Sequence, residues 1–270
     1  MIDPAAVSAA PDLKACCADL YASDWIRLLI GDSLHPGGLA LTRRLGTLIG
    51  LHNVDRLLDV ACGRGASASE IAKAFGAQVV GVDYSRESVE AATASAAEAG
   101  LSSLVEFMVG DAEALPVQNE TFDAVLCECA LCTFPKKEMA VAEFARVLRA
   151  GGRLGIADIV RAGPLPPELD TLLARVACVA DARPLDEYAG LLTAAGFRVT
   201  ATERHDEALA SIINDIRGRL LGADLLAKLG KVALPGANLE QATAMARSAA
   251  AAVREGRLGY ALVTAVKATS

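Results

Sequence analysis

No stretch of the 270 residues stays apolar long enough to cross a membrane, because Gly, Asp or Arg interrupts every run. No dense Lys/Arg run appears either, and the formal net charge is −7. Charge alone therefore offers no hold on nucleic acid or on an anionic membrane. The opening MIDPAAVSAAPDLK lacks the basic and apolar regions of a secretory signal, so a cytoplasmic address is the expectation. Low-complexity tracts, internal repeats and a linker long enough to split the chain are all missing. A complete disulfide framework is excluded by parity, since seven cysteines cannot all pair within one chain, and cytosolic thiols are in any case kept reduced.

What is present is a chain that is 53% hydrophobic, ample for a substantial core. The first fifty residues read as helical and irregular: CCADLYASDWIRLLI and LALTRRLGTLIGL carry apolar residues near helical spacing, and GDSLHPGG separates them. From Asp55 the rhythm changes. RLLDVACGRG, QVVGVD, LVEFMVGD, FDAVLCECA and RLGIADIV read as strands. SASEIAKAFG, SRESVEAATASAAEAG and KKEMAVAEFARVLRAGG read as the helices between them, the last ending in a glycine pair. Continuous apolar strands alternating with helices predict an α/β fold, a doubly wound, mostly parallel sheet covered on both faces. Beyond Gly163 the pattern is mostly helical; FRVTATERH reads as a sixth strand, residues 206–255 as a helical insertion, and GYALVTAVKA as the last strand. The expectation is one domain over 1–270, with a helical cap or lid over 1–54, a ligand-binding core over 55–160, and helices, insertion and last strand over 161–270.

The chemistry-bearing residues sit at strand ends. After Val60, the residues Ala61, Gly63 and Gly65 make a small-residue turn that opens a helix, where a ligand can approach the backbone. Asp83 ends the second strand, where a carboxylate can accept two ribose hydroxyls. Asp111 ends the third strand, within reach of an adenine edge, and Asp59 precedes the turn, placed to order it or to meet a ligand amine. A nicotinamide site would more often carry G-x-G-x-x-G, and Ala68 stands where the third glycine would be.

Taken together, LLDVACGRG, GVDYS, GDAEALP, FDAVL and RVLRAGGRL resemble, in order and spacing, the successive motifs of the Rossmann-like S-adenosylmethionine-dependent methyltransferases, over about 55–159. The resemblance implies S-adenosylmethionine as cofactor, and donor contacts at Asp59, Ala61, Gly63, Gly65, Asp83, Tyr84, Asp111, Ala112 and Cys127. It also implies that the acceptor meets the donor beyond the carboxyl end of the fourth strand.

That end carries CECALC. Strand alternation puts Cys127 and Cys129 on one face and Glu128 on the other, with Cys132 in the following loop. Thiolates are soft donors suited to a metalloid centre. With Cys16 and Cys17 near the N-terminus and Cys178 after the fifth strand, the set resembles in part that of arsenite methyltransferases. This resemblance implies an acceptor site built from Cys129, Cys132, Cys178 and one of Cys16 or Cys17. Separately, the segment 14–38, whose glycines could hinge, is expected to form a lid, with His35 as a lid wall and Trp25 either shielding the site or packing on the core, and no metal is expected as resident cofactor. His35 or Glu128 could serve as a base. A zinc site on C-x-C-x-x-C is a rival, and simple packing is the expectation for Cys62 and an alternative for Cys127. His52, His205, Arg43 and Arg44 read as solvated or capping residues. Three functions stay open: methylation of a thiol-bound soft centre such as arsenite, methylation of a small organic acceptor, and non-catalytic sensing through thiols. The partner is a small molecule or metalloid in the first two, and the oligomeric state is not readable.

Overall fold

The computed structural model describes residues 14, 35–171, 174, 179–228 and 239–269. Seven strands form one sheet: β1 (Arg56–Val60), β2 (Gln78–Asp83), β3 (Val105–Val109), β4 (Phe122–Glu128), β5 (Leu148–Arg161), β6 (Phe197–Arg204) and β7 (Leu258–Lys267). Their order is β3-β2-β1-β4-β5-β7-β6. The first five run parallel, and β7 is antiparallel to both β5 and β6. The order reverses between β1 and β4, and in such sheets ligands bind beyond the carboxyl ends of the strands at that switch point. The doubly wound, mostly parallel α/β sheet read from the sequence is therefore the observed one.

Among the described residues, seven α-helices cover the sheet: α1 (Gly38–Leu48), α2 (Ala66–Phe75), α3 (Arg86–Glu98), α4 (Lys137–Val147), α5 (Leu185–Ala194), α6 (Asp206–Lys228) and α7 (Leu239–Arg254). One buried cluster joins Leu45, Ile71, Ala96, Ile213 and Ala250 of α1, α2, α3, α6 and α7 to Leu57, Leu126 and Tyr260 of the sheet. The other joins Phe144 of α4 and Leu192 of α5 to Leu58, Val125 and Ile156. Each large apolar side chain buried this fully contributes roughly 1.5–3 kcal/mol. Local signals set the ends: Ser85 Oγ accepts from Ser88 N at 3.2 Å at the start of α3, and Gly76, at φ 70°, ends α2. The insertion before β7 is the helical pair α6 and α7.

Two expectations need correction. The fourth helix does not run to the glycine pair; it ends at Val147, because Leu148 is already paired with Phe122 and fully buried. Cys127 and Cys129 do not share a face. β4 ends at Glu128, and Cys129 takes φ 52°, where alternation no longer holds. Cys127 packs in the α4 cluster and Cys129 against the α1 cluster, on opposite sides of the sheet.

Small residues let the layers close. A Cβ on Gly155 of β5 would stand 3.0 Å from Leu45 of α1. A Cβ on Gly81 of β2 would stand 2.4 Å from the Phe107 ring and 2.8 Å from Cys62 Sγ, under the glycine turn. Gly81→Val should therefore lower unfolding stability by about 1–3 kcal/mol through overpacking. Urea denaturation checks it, and a variant with wild-type midpoint would contradict the packing described here.

Candidate active site

β1 delivers Asp59 to the switch point, beside Gly81 of β2 and Leu126 of β4. The chain then turns sharply through Ala61 (φ 59°), Gly63 (φ 52°) and Gly65 (φ 79°) before α2 begins. The two glycines serve different ends. A Cβ on Gly63 would meet nothing within 4 Å, so this residue faces open space on the ligand side. A Cβ on Gly65 would run into the Phe107 ring at 2.5 Å. Gly65 is required by packing against β3, and the pocket is lined by its neighbours Arg64 and Ala66 rather than by Gly65 itself.

Asp83 holds the turn. Its Oδ2 accepts from Gly63 N and its Oδ1 from Ser85 N, both at 2.8 Å. Burial raises its pKa, and these two backbone bonds act against that rise. Asp59 is the more extreme case. Burial pushes its carboxyl well above the ordinary range, with the Glu128 and Asp83 charges adding to the push. Its Oδ2 is buried without a hydrogen-bond partner.

A pocket of about 1240 Å³, its open mouth counted, lies over these strand ends. Asp59, Asp83, Asp111 and Glu128 bring four carboxylates to its wall. Ala61, Gly63, Tyr84, Ala112 and Cys129 line it as well. Residues with no sequence signal join them. Lys14 binds Asp111 at 2.7 Å and Glu113 at 2.6 Å, and Arg64 lines the pocket from within the turn. Only the topology, not a motif, brings Lys14 there.

Where α1 and α2 meet the end of β4 there is a buried polar cluster. Thr42 Oγ1 of α1 donates to Glu128 Oε2 at 3.0 Å. The His35 Nε2 lies 3.4 Å from Thr42 Oγ1, 3.4 Å from Ser67 Oγ of α2, and 3.8 Å from Glu128 Oε2. His35 and Glu128 were legible as candidates; Thr42 and Ser67, which hold them together, were not.

Among the described residues the thiols do not assemble. Cys127 is fully buried and Cys132 is 1% exposed, and neither lines the pocket. The Cys132 N–H donates to the buried Asp158 carboxylate, which turns this loop inward. Burial, then neighbouring carboxylates, push the Cys62 and Cys127 thiols well above their ordinary range, so both are held protonated, the opposite of a soft thiolate donor. Cys62, expected only to pack, is buried and also lines the pocket floor. Among the described residues no group of three His, Cys, Asp or Glu is placed to hold a metal ion, so the C-x-C-x-x-C zinc arrangement does not form there. Cys16, Cys17, Cys178 and Trp25 lie outside the described residues. His52 is exposed at the far end of β1, and His205 stands 3.4 Å from Glu203, before α6. Arg43 pairs with Glu70 and Arg44 with Glu203 on the surface. Among the described residues no helix is long and apolar enough to cross a membrane.

The family model described as "Methyltransferase domain" matches residues 58–156, the span from β1 to β5 that carries this geometry. An O-methyltransferase, cnsE, of Penicillium expansum is 33% identical over 262 residues, covering 90% of this chain and 88% of its own. An arsenite methyltransferase of Halobacterium salinarum is 31% identical over 178 residues, 64% of this chain and 44% of its own. Among solved structures, one described as a putative sarcosine dimethylglycine methyltransferase from Galdieria sulphuraria superposes with a TM-score of 0.78 at 16% identity, over 94% of this chain and 99% of that one.

The buried Asp59 carboxyl carries a sign that can be worked out. Its raised pKa contributes stability that is fully present below its unfolded value of 3.8 and is lost as pH rises toward the folded value. Asp59→Asn should therefore be more stable than wild type near neutrality, with the gap closing as the pH falls toward 4. Denaturation midpoints across pH 4–8, without ligand, check this; a pH-independent gap would contradict it.

Proposed function

The chain belongs to the S-adenosylmethionine-dependent methyltransferases, and on that premise we propose that it methylates a hydroxyl of a small organic acceptor, with His35 as the base and Glu128 supporting it. The observation that carries this reading is the His35–Glu128–Thr42–Ser67 cluster, in which His35, Glu128 and Ser67 line the pocket and the buried Thr42 backs them. A hydroxyl is a poor nucleophile until its proton leaves, and a positioned base supplies that step. An imidazole nitrogen of His35 receives the proton. The Glu128 carboxylate, held by Thr42, stabilises the imidazolium that forms.

The residues present fit the methyl donor. The partnerless Asp59 Oδ2 and the neighbouring Glu128 charge suit a ligand with cationic groups. The open face of Gly63 lets it approach the turn, and the lone pairs left on Asp83 suit a ribose diol. Asp111, with Ala112 and Tyr84 beside it, would take the adenine end. When bound, the donor supplies a methyl already activated on a sulfonium. The chain's task is then to align an acceptor lone pair with it and exclude water.

Metalloid methylation finds less support. Cys129 lines the pocket, but Cys127 and Cys132 are committed to packing, on opposite sides of the sheet. The relative named for O-methylation also spans far more of its own length than the one named for arsenite.

Two outcomes are expected. His35→Asn should reduce turnover of a hydroxyl acceptor by about 10²–10⁴-fold while calorimetry shows nearly unchanged donor affinity, and Glu128→Gln should fall between the two. Cys132→Ser should cost stability without touching turnover. Labelled methyl transfer to a panel of phenols, hydroxy acids, thiols and arsenite provides the readout. Transfer to arsenite alone, abolished by Cys129→Ser, would defeat the hydroxyl reading.

A further inference from the structure

Lys14 reaches across 97 positions of sequence to the wall of the donor crevice. Its Nζ donates to Asp111 Oδ1 at 2.9 Å, to Asp111 Oδ2 at 2.7 Å and to Glu113 Oε2 at 2.6 Å. The three contacts answer a specific electrostatic need. Asp111 and Glu113 aim two carboxylates at one point, and the Glu113 side chain is only 6% exposed. Its other oxygen accepts from Lys136 N at 2.7 Å, which fixes it there. A buried carboxylate beside another is costly without a cation between them. Burial pulls the Lys14 ammonium toward losing its proton, but the bonds to Asp111 and Glu113 outweigh that and raise its pKa.

The same contacts leave room for a ligand. A carboxylate offers about four acceptor positions. Asp111 Oδ1 already serves Lys14 and the Glu113 N–H, whereas Oδ2 serves Lys14 alone among these donors. A nucleobase amine can therefore join Asp111 Oδ2 without expelling Lys14. Lys14 itself lines the pocket together with Asp83 and Tyr84.

We propose that Lys14 is a donor-retaining residue: by clamping Asp111 and Glu113 over the adenosine end of the crevice, it sets how slowly an adenosyl ligand leaves. This rests on reading Asp111 as the partner of the adenosine end. Lys14 takes no part in the methyl transfer itself; it positions Asp111 and walls the exit. Because the clamp is ionic and only part-buried, its effect is screened by salt.

The test uses the full chain and three probes: S-adenosylmethionine, S-adenosylhomocysteine and 5′-methylthioadenosine, the last lacking the amino-acid end. Stopped-flow displacement gives dissociation rates, and calorimetry gives affinities, each at low and high salt. Lys14→Met should speed dissociation of all three by about tenfold, since affinity differences among variants of one site reside mostly in the off-rate. Lys14→Arg should restore most of the retention. The wild-type rate should rise with salt while the Lys14→Met rate does not. Should Lys14→Met fold poorly for want of a countercharge to Glu113, Lys14→Met with Glu113→Gln removes that charge and should still release all three quickly. The inference is overturned if Lys14→Met stays within about twofold of wild type, if only the two ligands with an amino-acid end are affected, or if both proteins respond alike to salt. Wild-type protein that binds S-adenosylhomocysteine but not 5′-methylthioadenosine would overturn the placing of the adenosine end itself, and with it this inference.

Discussion

One carboxylate ties together the two turns on which the crevice depends. Asp83 accepts from Gly63 N on one side and from Ser85 N on the other. The first bond fixes the turn after β1; the second fixes the entry to α3, whose cap is Ser85. Both bonds reach back to backbone, so they impose shape without consuming side chains. Because β2 lies beside β1, a carboxylate at its end can reach the turn that follows β1 as well as its own. The Asp83 carboxylate thereby settles where Gly63 opens, while its backbone carbonyl accepts from Gly110 N at 2.9 Å, next to Asp111.

The cost of that arrangement is electrostatic crowding. Asp59 is forced toward its neutral form by burial and by Glu128 and Asp83. A structure optimised for stability alone would place apolar residues there, since buried charges without partners are destabilising. Keeping four carboxylates around one cavity stores unfavourable energy that a cationic ligand relieves. Lys14 at one end and the hydroxyl of Thr42 at the other limit the crowding without filling the middle. The crowding is greatest at Asp59, whose buried Oδ2 has no hydrogen-bond partner among the described residues.

How much of this was legible depended on whether the determinant was local. Strands β1 to β5 and their helices could be read because each is a short apolar run or an amphipathic stretch bounded by glycine. Asp59, Asp83 and Asp111 could be read as candidates because strand ends in this topology converge on the crevice, and all three line the pocket. Cys129 lines the pocket as expected, but it does not share a face with Cys127, because its φ ends the pleat, and the Asp158 carboxylate draws Cys132 into the core. Gly65 shows a different ambiguity. A glycine demanded by an aromatic ring behind it looks in sequence like one demanded by a ligand in front of it. Lys14, Thr42 and Ser67 were invisible because their partners are distant in the chain, and no pattern of spacing announces such a meeting.

The place of β7 in the sheet bears on how the molecule comes into being. It is the last strand in chain order yet lies between β5 and β6, and β6 pairs with no other named strand. While a ribosome delivers the chain, β1 to β5 can assemble as soon as each crossover helix has emerged. β6 then waits through the whole of α6 and α7 with both edges bare. Contacts of such long sequence separation are slow to close. The nascent protein therefore passes through an interval in which the carboxylate-lined half exists while the outer half does not. During that interval the exposed edges of β5 and β6 are where another chain's strand could add, so this stretch of synthesis is the one that chaperones have most reason to guard.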